Sequence, residues 1–129
     1  MERQLNLCLM GKTYKAEKDT MIVSSIHSSV NYCEFKELLV YGNCIIEGAI
    51  RVERLVVYGN LEAQCINVKT LEVRGNVEVS NIHVDDMDVK GNFTAKQMKA
   101  HYSKIVIRGK VKVETISGEI VSLFVGEET

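Results

Sequence analysis

A glycine recurs along this chain at nearly constant spacing: Gly42, Gly59, Gly75, Gly91 and Gly109 are separated by 17, 16, 16 and 18 residues. Asn43, Asn60, Asn76 and Asn92 follow the first four, and Lys110 takes that place in the fifth. Aligned on these glycines, the flanking positions keep their residue class. Four before the glycine stand Leu38, Leu55, Leu71, Met87 and Ile105; two before stand Val40, Val57, Val73, Val89 and Ile107. Two after come Cys44, Leu61, Val77, Phe93 and Val111; four after come Ile46, Ala63, Val79, Ala95 and Val113. A second apolar pair then follows, Ile50 with Val52, Ile66 with Val68, Ile82 with Val84, and Met98 with Ala100. A fixed short period of this kind marks a repeat architecture, in which one unit is too small to bury its own apolar face.

Within each unit the apolar residues alternate with polar ones, then slip phase and alternate again. Alternation puts one set of side chains on one face of a strand, and the slip marks a corner. The helical i, i+3, i+4 spacing is absent. Stacking the units, one coil over the last at roughly 4.8 Å, joins the inward columns into one core and lets each backbone pair with its neighbours. The chain is therefore expected to be an all-β solenoid of about six to seven coils of 16–18 residues, a rod on the order of 30 Å long. Backwards, Met21, Val23 and Ser25 fall on the Leu38, Val40 and Gly42 columns, and Cys33 and Phe35 beside Ile50 and Val52. Leu7, Leu9 and Gly11 can begin a still earlier unit. This divides the chain into an N-terminal segment, 1–20, a β-helix domain, 21–125, and a short tail, 126–129. A meander of Gly-Asn hairpins does not explain why columns persist over five units, and a left-handed hexapeptide helix is poorly served by sixteen-residue units.

Composition agrees with this reading. The chain has 129 residues, 46% hydrophobic and 26% charged, as a globular domain requires. With no Trp and few aromatics, Val, Ile, Leu and Met must fill the core. Proline, which would remove ladder hydrogen bonds, is absent. The net charge is −1 and no long run of one sign is expected, so neither a nucleic-acid footprint nor a nucleic-acid partner is expected. No apolar run is long enough to cross a bilayer, and the N-terminus lacks the order of a secretory signal, so a cytoplasmic location is expected. Cys8, Cys33, Cys44 and Cys65 form no CxxC pair or zinc spacing and are expected to be reduced core thiols.

No phosphate loop, nucleophile elbow or metal motif is found, and no enzyme, cofactor or small-molecule substrate is expected. His27, His83 and His101 fall in different columns, His83 beside Lys99. Glu72 and Asp88 share one outward column, and Arg74, Lys90 and Arg108 a neighbouring one, as a solvated mixed-charge face would. The glycines are expected to occupy a crowded or bent position, and the asparagines beside them to form an amide ladder.

Contact surfaces are the better candidates. Leu39, Tyr41, Ile45, Val56 and Tyr58 should face outward although all are apolar or aromatic. Either residues 1–20 fold over this lateral patch or a partner meets it. The final coil carries Ile120, Val121, Leu123, Phe124 and Val125, with no polar cap of the sort natural solenoids add, and Leu5, Leu7, Leu9 and Met10 give the other end a similar character. Two sticky ends predict end-to-end association. Leu123, Phe124 and Val125 are the expected C-terminal contact, with Phe124 foremost; Leu5, Leu7, Leu9 and Met10 are expected to meet another copy or a membrane.

The segments LEVRGNVEVSNIHVDDMDVKGNF and IVIRGKVKVETISGEIV resemble the bactofilin family's aliphatic-x-aliphatic-x-Gly pattern with its second aliphatic pair, over roughly residues 21–121. The resemblance implies a right-handed, three-sided parallel β-helix that polymerises end to end into non-polar filaments without nucleotide. It implies a bacterial cytoskeletal scaffold serving cell shape, cell-wall enzyme placement, or motility and flagellar processes. Its partners would be itself, a second bactofilin, the inner face of the membrane, and cell-wall or flagellar proteins. Bactofilins commonly carry flexible Pro-rich tails, which this chain nearly lacks, and the second glycine of the family repeat is found here only at Gly48 and Gly118. A non-polymerising adaptor working through the Leu39–Tyr58 patch is the reading from another class. A weaker resemblance is to the short β-helix domain of septum-site regulators, and a hexapeptide-type enzyme is a distant third reading.

Overall fold

A computed structural model describes residues 4–7, 13–15, 20–29 and 31–126. The strands are β1 (Gln4–Leu7), β2 (Thr13–Lys15), β3 (Thr20–Val23), β4 (Ser25–Ser28), β5 (Tyr32–Val40), β6 (Cys44–Lys90), β7 (Phe93–Arg108) and β8 (Val111–Gly126), with no helix among the described residues. All pairings between strands are parallel. Together they build a β-solenoid of about six turns. β6 runs without interruption through several corners, because ladder pairing continues around each bend.

The columns read from the glycine alignment are vertical neighbours. Leu38 pairs with Leu55 and Val40 with Val57; Met87 pairs with Ile105 and Val89 with Ile107. Phe93 lies beside both Val77 and Val111, and Met98 beside both Ile82 and Ile116. Each coil thus contributes three short inward pairs, typified by Leu38/Val40, Cys44/Ile46 and Ile50/Val52, all buried in one continuous core. The pairs Met21–Leu38, Val23–Val40, Cys33–Ile50 and Phe35–Val52 match the backward extension. One column needs correcting. Gly42 packs on the carbonyl of Ser24, not on Ser25, because two residues span that first corner between Val23 and Ile26 where three span the next. The parallel ladder also reaches behind Met21: Gln4–Leu7 pairs with Ser25–Ser28, and Thr13–Lys15 with Tyr32–Glu34.

The glycine column has a steric cause. A Cβ on Gly75 would run into the carbonyl oxygen of Gly59, and one on Gly91 into that of Gly75; their φ values are +149° and +143°. Both the bend and the close approach of successive backbones exclude a side chain. Beside this spine, on the outside, the expected amide ladder runs from Asn43 through Asn60 to Asn76, and at Asn92 the backbone N–H takes the place of the side chain. Asn60 Nδ2 donates to Asn43 Oδ1 (3.4 Å), Asn76 Nδ2 to Asn60 Oδ1 (3.3 Å), and Asn92 N to Asn76 Oδ1 (3.4 Å).

The longer unit between Gly91 and Gly109 is absorbed at one corner. The register shifts between Ala100 and Lys104, and Tyr102 takes φ 49° while pointing into solvent. Ser103 turns inward and is fully buried. Its hydroxyl donates to Val84 O (2.7 Å) and accepts from His101 N (2.8 Å), so the bulge leaves this polar group satisfied.

Candidate assembly surface

The last coil repeats the alternation of the coils before it, but nothing among the described residues stacks on its far side. Leu123 and Val125 lie directly over Ile105 and Ile107 in the inward columns. Ile105 and Ile107 are buried, whereas Leu123 is 55% and Val125 48% exposed. Val111 and Ile116, over Phe93 and Met98, are exposed in the same way. Only Val113 and Ile120 of this coil pack partly against the core. The result is an apolar rim with an open strand edge, a template for another backbone.

Phe124 occupies a different position from Leu123 and Val125. It pairs with Val106 in the column that includes Asp88, so it faces outward at the rim's flank and is 54% exposed. At the other end, Leu5 pairs with Ile26 and Leu7 with Ser28. Leu9, Met10 and Cys8 lie outside the described residues.

The lateral patch is smaller than the sequence suggests. Tyr41 and Tyr58 are exposed and stacked, with ring centroids 5.4 Å apart. Leu39 is half-buried. Val56 must be removed from the exposed set: it is outside the core cluster yet only 3% exposed. It stands between Arg54, which reaches Glu37 (2.6 Å), and Tyr58, which stacks on Tyr41. Ile45 belongs to a different face, beyond the Gly42–Asn43 corner, in a shallow trough with Glu47, Glu62 and Glu78. What survives on one face is a tyrosine pair with Leu39 beside it.

Charge is segregated by coil. From Val89 to Val113 the chain carries Lys90, Lys96, Lys99, Lys104, Arg108, Lys110 and Lys112 and no Asp or Glu. All of these side chains are exposed. The preceding stretch holds Glu78, Asp85, Asp86 and Asp88. This belt corrects the expectation that no long run of one sign is present: its cations are spaced by uncharged residues, and the missing acids are the signal that would have found it.

Several of the remaining polar groups are paired locally. His27 Nε2 lies 2.6 Å from Glu47, and His101 Nδ1 3.7 Å from Asp85. Hydrogen bonds from Ser29 and His27 hold the Glu47 carboxyl below its usual range, and those from Arg54 and Thr20 do the same for Glu37. His83 pairs with Lys99. Among the described residues no group of His, Cys, Asp or Glu is arranged to hold a metal ion. Cys33, Cys44 and Cys65 are free thiols, the first two buried. Burial pushes the Cys33 thiol up to about 11 and raises that of Cys44 further, which makes both poor nucleophiles.

No family model, curated protein or solved structure matches this chain.

Proposed function

We propose that this protein is a bactofilin-like scaffold that assembles end to end through the rims of its solenoid, without nucleotide, and positions other proteins in cell-shape, cell-wall or motility processes at the cytoplasmic face of the cell. The observation that carries the reading is the uncovered inward column of the last coil. Leu123 and Val125 continue columns that are sealed everywhere below them. A second copy stacked on this rim would bury these residues and pair the open strand edge, in the manner of one more coil. Nothing in such a role requires bond-making chemistry.

Electron microscopy of the purified full chain, at moderate salt and without nucleotide, tests the proposal. Filaments or sheets are expected. Leu123→Arg places a charge where a stacked copy would seal the column, and should leave a folded, unassembled protein. Phe124→Arg, on the flank, should weaken assembly less. A wild-type chain that stays a monomer or dimer sinks the reading. That outcome favours a non-polymerising adaptor, for which the exposed Tyr41–Tyr58 stack is the supporting feature.

A further inference from the structure

The residue before each spine glycine stands in one outward column: Tyr41, Tyr58, Arg74, Lys90 and Arg108. The two tyrosine rings stack on each other, and Lys90 is the register partner of Arg108. The residue after each glycine stands in a second column, Asn43, Asn60, Asn76, Asn92 and Lys110. Between the columns lies only glycine backbone, so this edge of the solenoid carries a groove, with Gly91 and Gly109 on its floor and Lys90, Asn92 and Lys110 beside them. One wall is aromatic over two coils and cationic over the next three. Arg74 lies 3.7 Å from Glu72 and 3.6 Å from Asp88, so it offsets the two carboxylates of the adjoining outward column. Lys90, Arg108 and Lys110 form no ion pair with a carboxylate among the described residues, which leaves the upper groove with surplus positive charge. The other wall is a row of amides. Asn60 and Asn76 each use one of two N–H donors and one of two acceptor lone pairs in the ladder, and the second of each is left to offer.

We propose that this groove binds an extended acidic peptide segment of another protein. An apolar residue of the segment lies against the tyrosine pair, its carboxylates meet Lys90, Arg108 and Lys110, and its backbone bonds to Asn60 and Asn76. The four intervals of the column, roughly 4.8 Å each, span about 19 Å, the length of about six extended residues. The chemistry of the walls selects this occupant. Ammonium and guanidinium groups make charge-assisted bonds to carboxylates. Side-chain amides match the C=O and N–H groups of a peptide backbone, and aromatic walls receive the apolar residues of extended segments. A single-stranded nucleic acid would instead need open ring faces for its bases, and the tyrosines have closed their facing sides on each other. The inference deepens the scaffold reading by naming how a positioned protein is held, and it rests on that reading only for this use.

Fluorescence anisotropy of a labelled LPDEDE peptide, titrated with the full chain, tests the proposal. Saturable binding is expected, weakened by salt and well above that of the uncharged analogue LPNQNQ. Lys90→Gln/Arg108→Gln should weaken it about tenfold, since each exposed ion pair contributes roughly threefold. Lys96→Gln/Lys99→Gln removes two cations of the same belt on other faces and should leave it nearly unchanged. Tyr58→Ala should weaken LPDEDE and leave the shorter DEDE peptide unaffected. Circular dichroism shows that each variant is folded. Equal binding of LPNQNQ, full binding by the Lys90/Arg108 variant, or equal loss in the two double variants overturns the groove. So does a labelled hexathymidylate that binds more tightly than LPDEDE. Electron microscopy of the same samples keeps the two readings apart. Peptide binding without filaments removes the assembly reading and leaves this one standing; filaments without peptide binding do the reverse.

Discussion

Coil 92–109 and coil 110–126 follow the same alternation, yet their inward residues meet opposite environments. Ile105 and Leu123 are adjacent in one column, Ile107 and Val125 in the next. The lower member of each pair is sealed and the upper is half open to water. Side-chain direction is therefore set within a coil, by backbone alternation. Burial is set between coils, by the presence of a neighbour on each side. A solenoid sequence can specify the first completely and still leave the second to whatever meets the end.

The sharpest way to break this comparison is at the glycine spine. Gly75→Ala should cost about 3 kcal/mol or more in chemical denaturation, since φ is +149° and the Gly59 carbonyl blocks the new methyl. Gly118→Ala, also strained (φ +90°) and facing the Ala100 carbonyl, should mainly loosen the last coil and cost the whole protein less. Equal losses would mean that the last coil unfolds with the middle as one unit, and the contrast between them would be void.

A gentler pair tests burial alone. Ile105→Ala should destabilise the dilute protein by about 3 kcal/mol, and Leu123→Ala by less than about 1 kcal/mol, because its side chain is already half solvated. Under assembling conditions the second cost should rise toward the first, as a partner seals the column. A Leu123 cost that ignores protein concentration would argue against a stacked neighbour.

The smallest effect contrasts interior and face thiols. Cys33 and Cys44 have folded-state values above the ordinary thiol value near 9 because burial disfavours the thiolate. Their contribution to stability is fully present below pH 9 and is lost as pH rises toward and through 11. The thermal midpoint should hold to about pH 9 and fall above it, and the fall should be shallower in Cys33→Ala. Cys65, partly exposed, should react with a thiol reagent in the folded protein at a rate the other two reach only on unfolding.

Most of the solenoid was legible because it is written twice, once in the period of the glycines and again in the class of each column. The pairing of Val40 with Val57 and of Val89 with Ile107 needed no tertiary information. Position along the axis was harder to read. Val56 looks exposed in a single coil, yet it is buried, flanked along its strand by Arg54 and Tyr58, whose contacts with Glu37 and Tyr41 join two coils. Ile45 and Tyr41 are close in sequence but a corner turns them onto different faces. Phe124 follows Leu123 directly, and one step along a strand reverses which way it points. The cationic belt escaped because it is a property of a whole coil, visible only when charges are grouped by height.

The outward fold at His101–Tyr102 has a practical consequence. Ser103 closes the ladder behind it through its bond to Val84, so the two residues outside that closure add no ladder pairing, and His101 adds an exposed side-chain contact with Asp85. Extra sequence could be threaded in at Tyr102 and would extend away from the side of the rod, leaving the register above and below unchanged. The corner is a natural port for grafting a fluorescent label or a binding peptide, displayed once per subunit at a defined height.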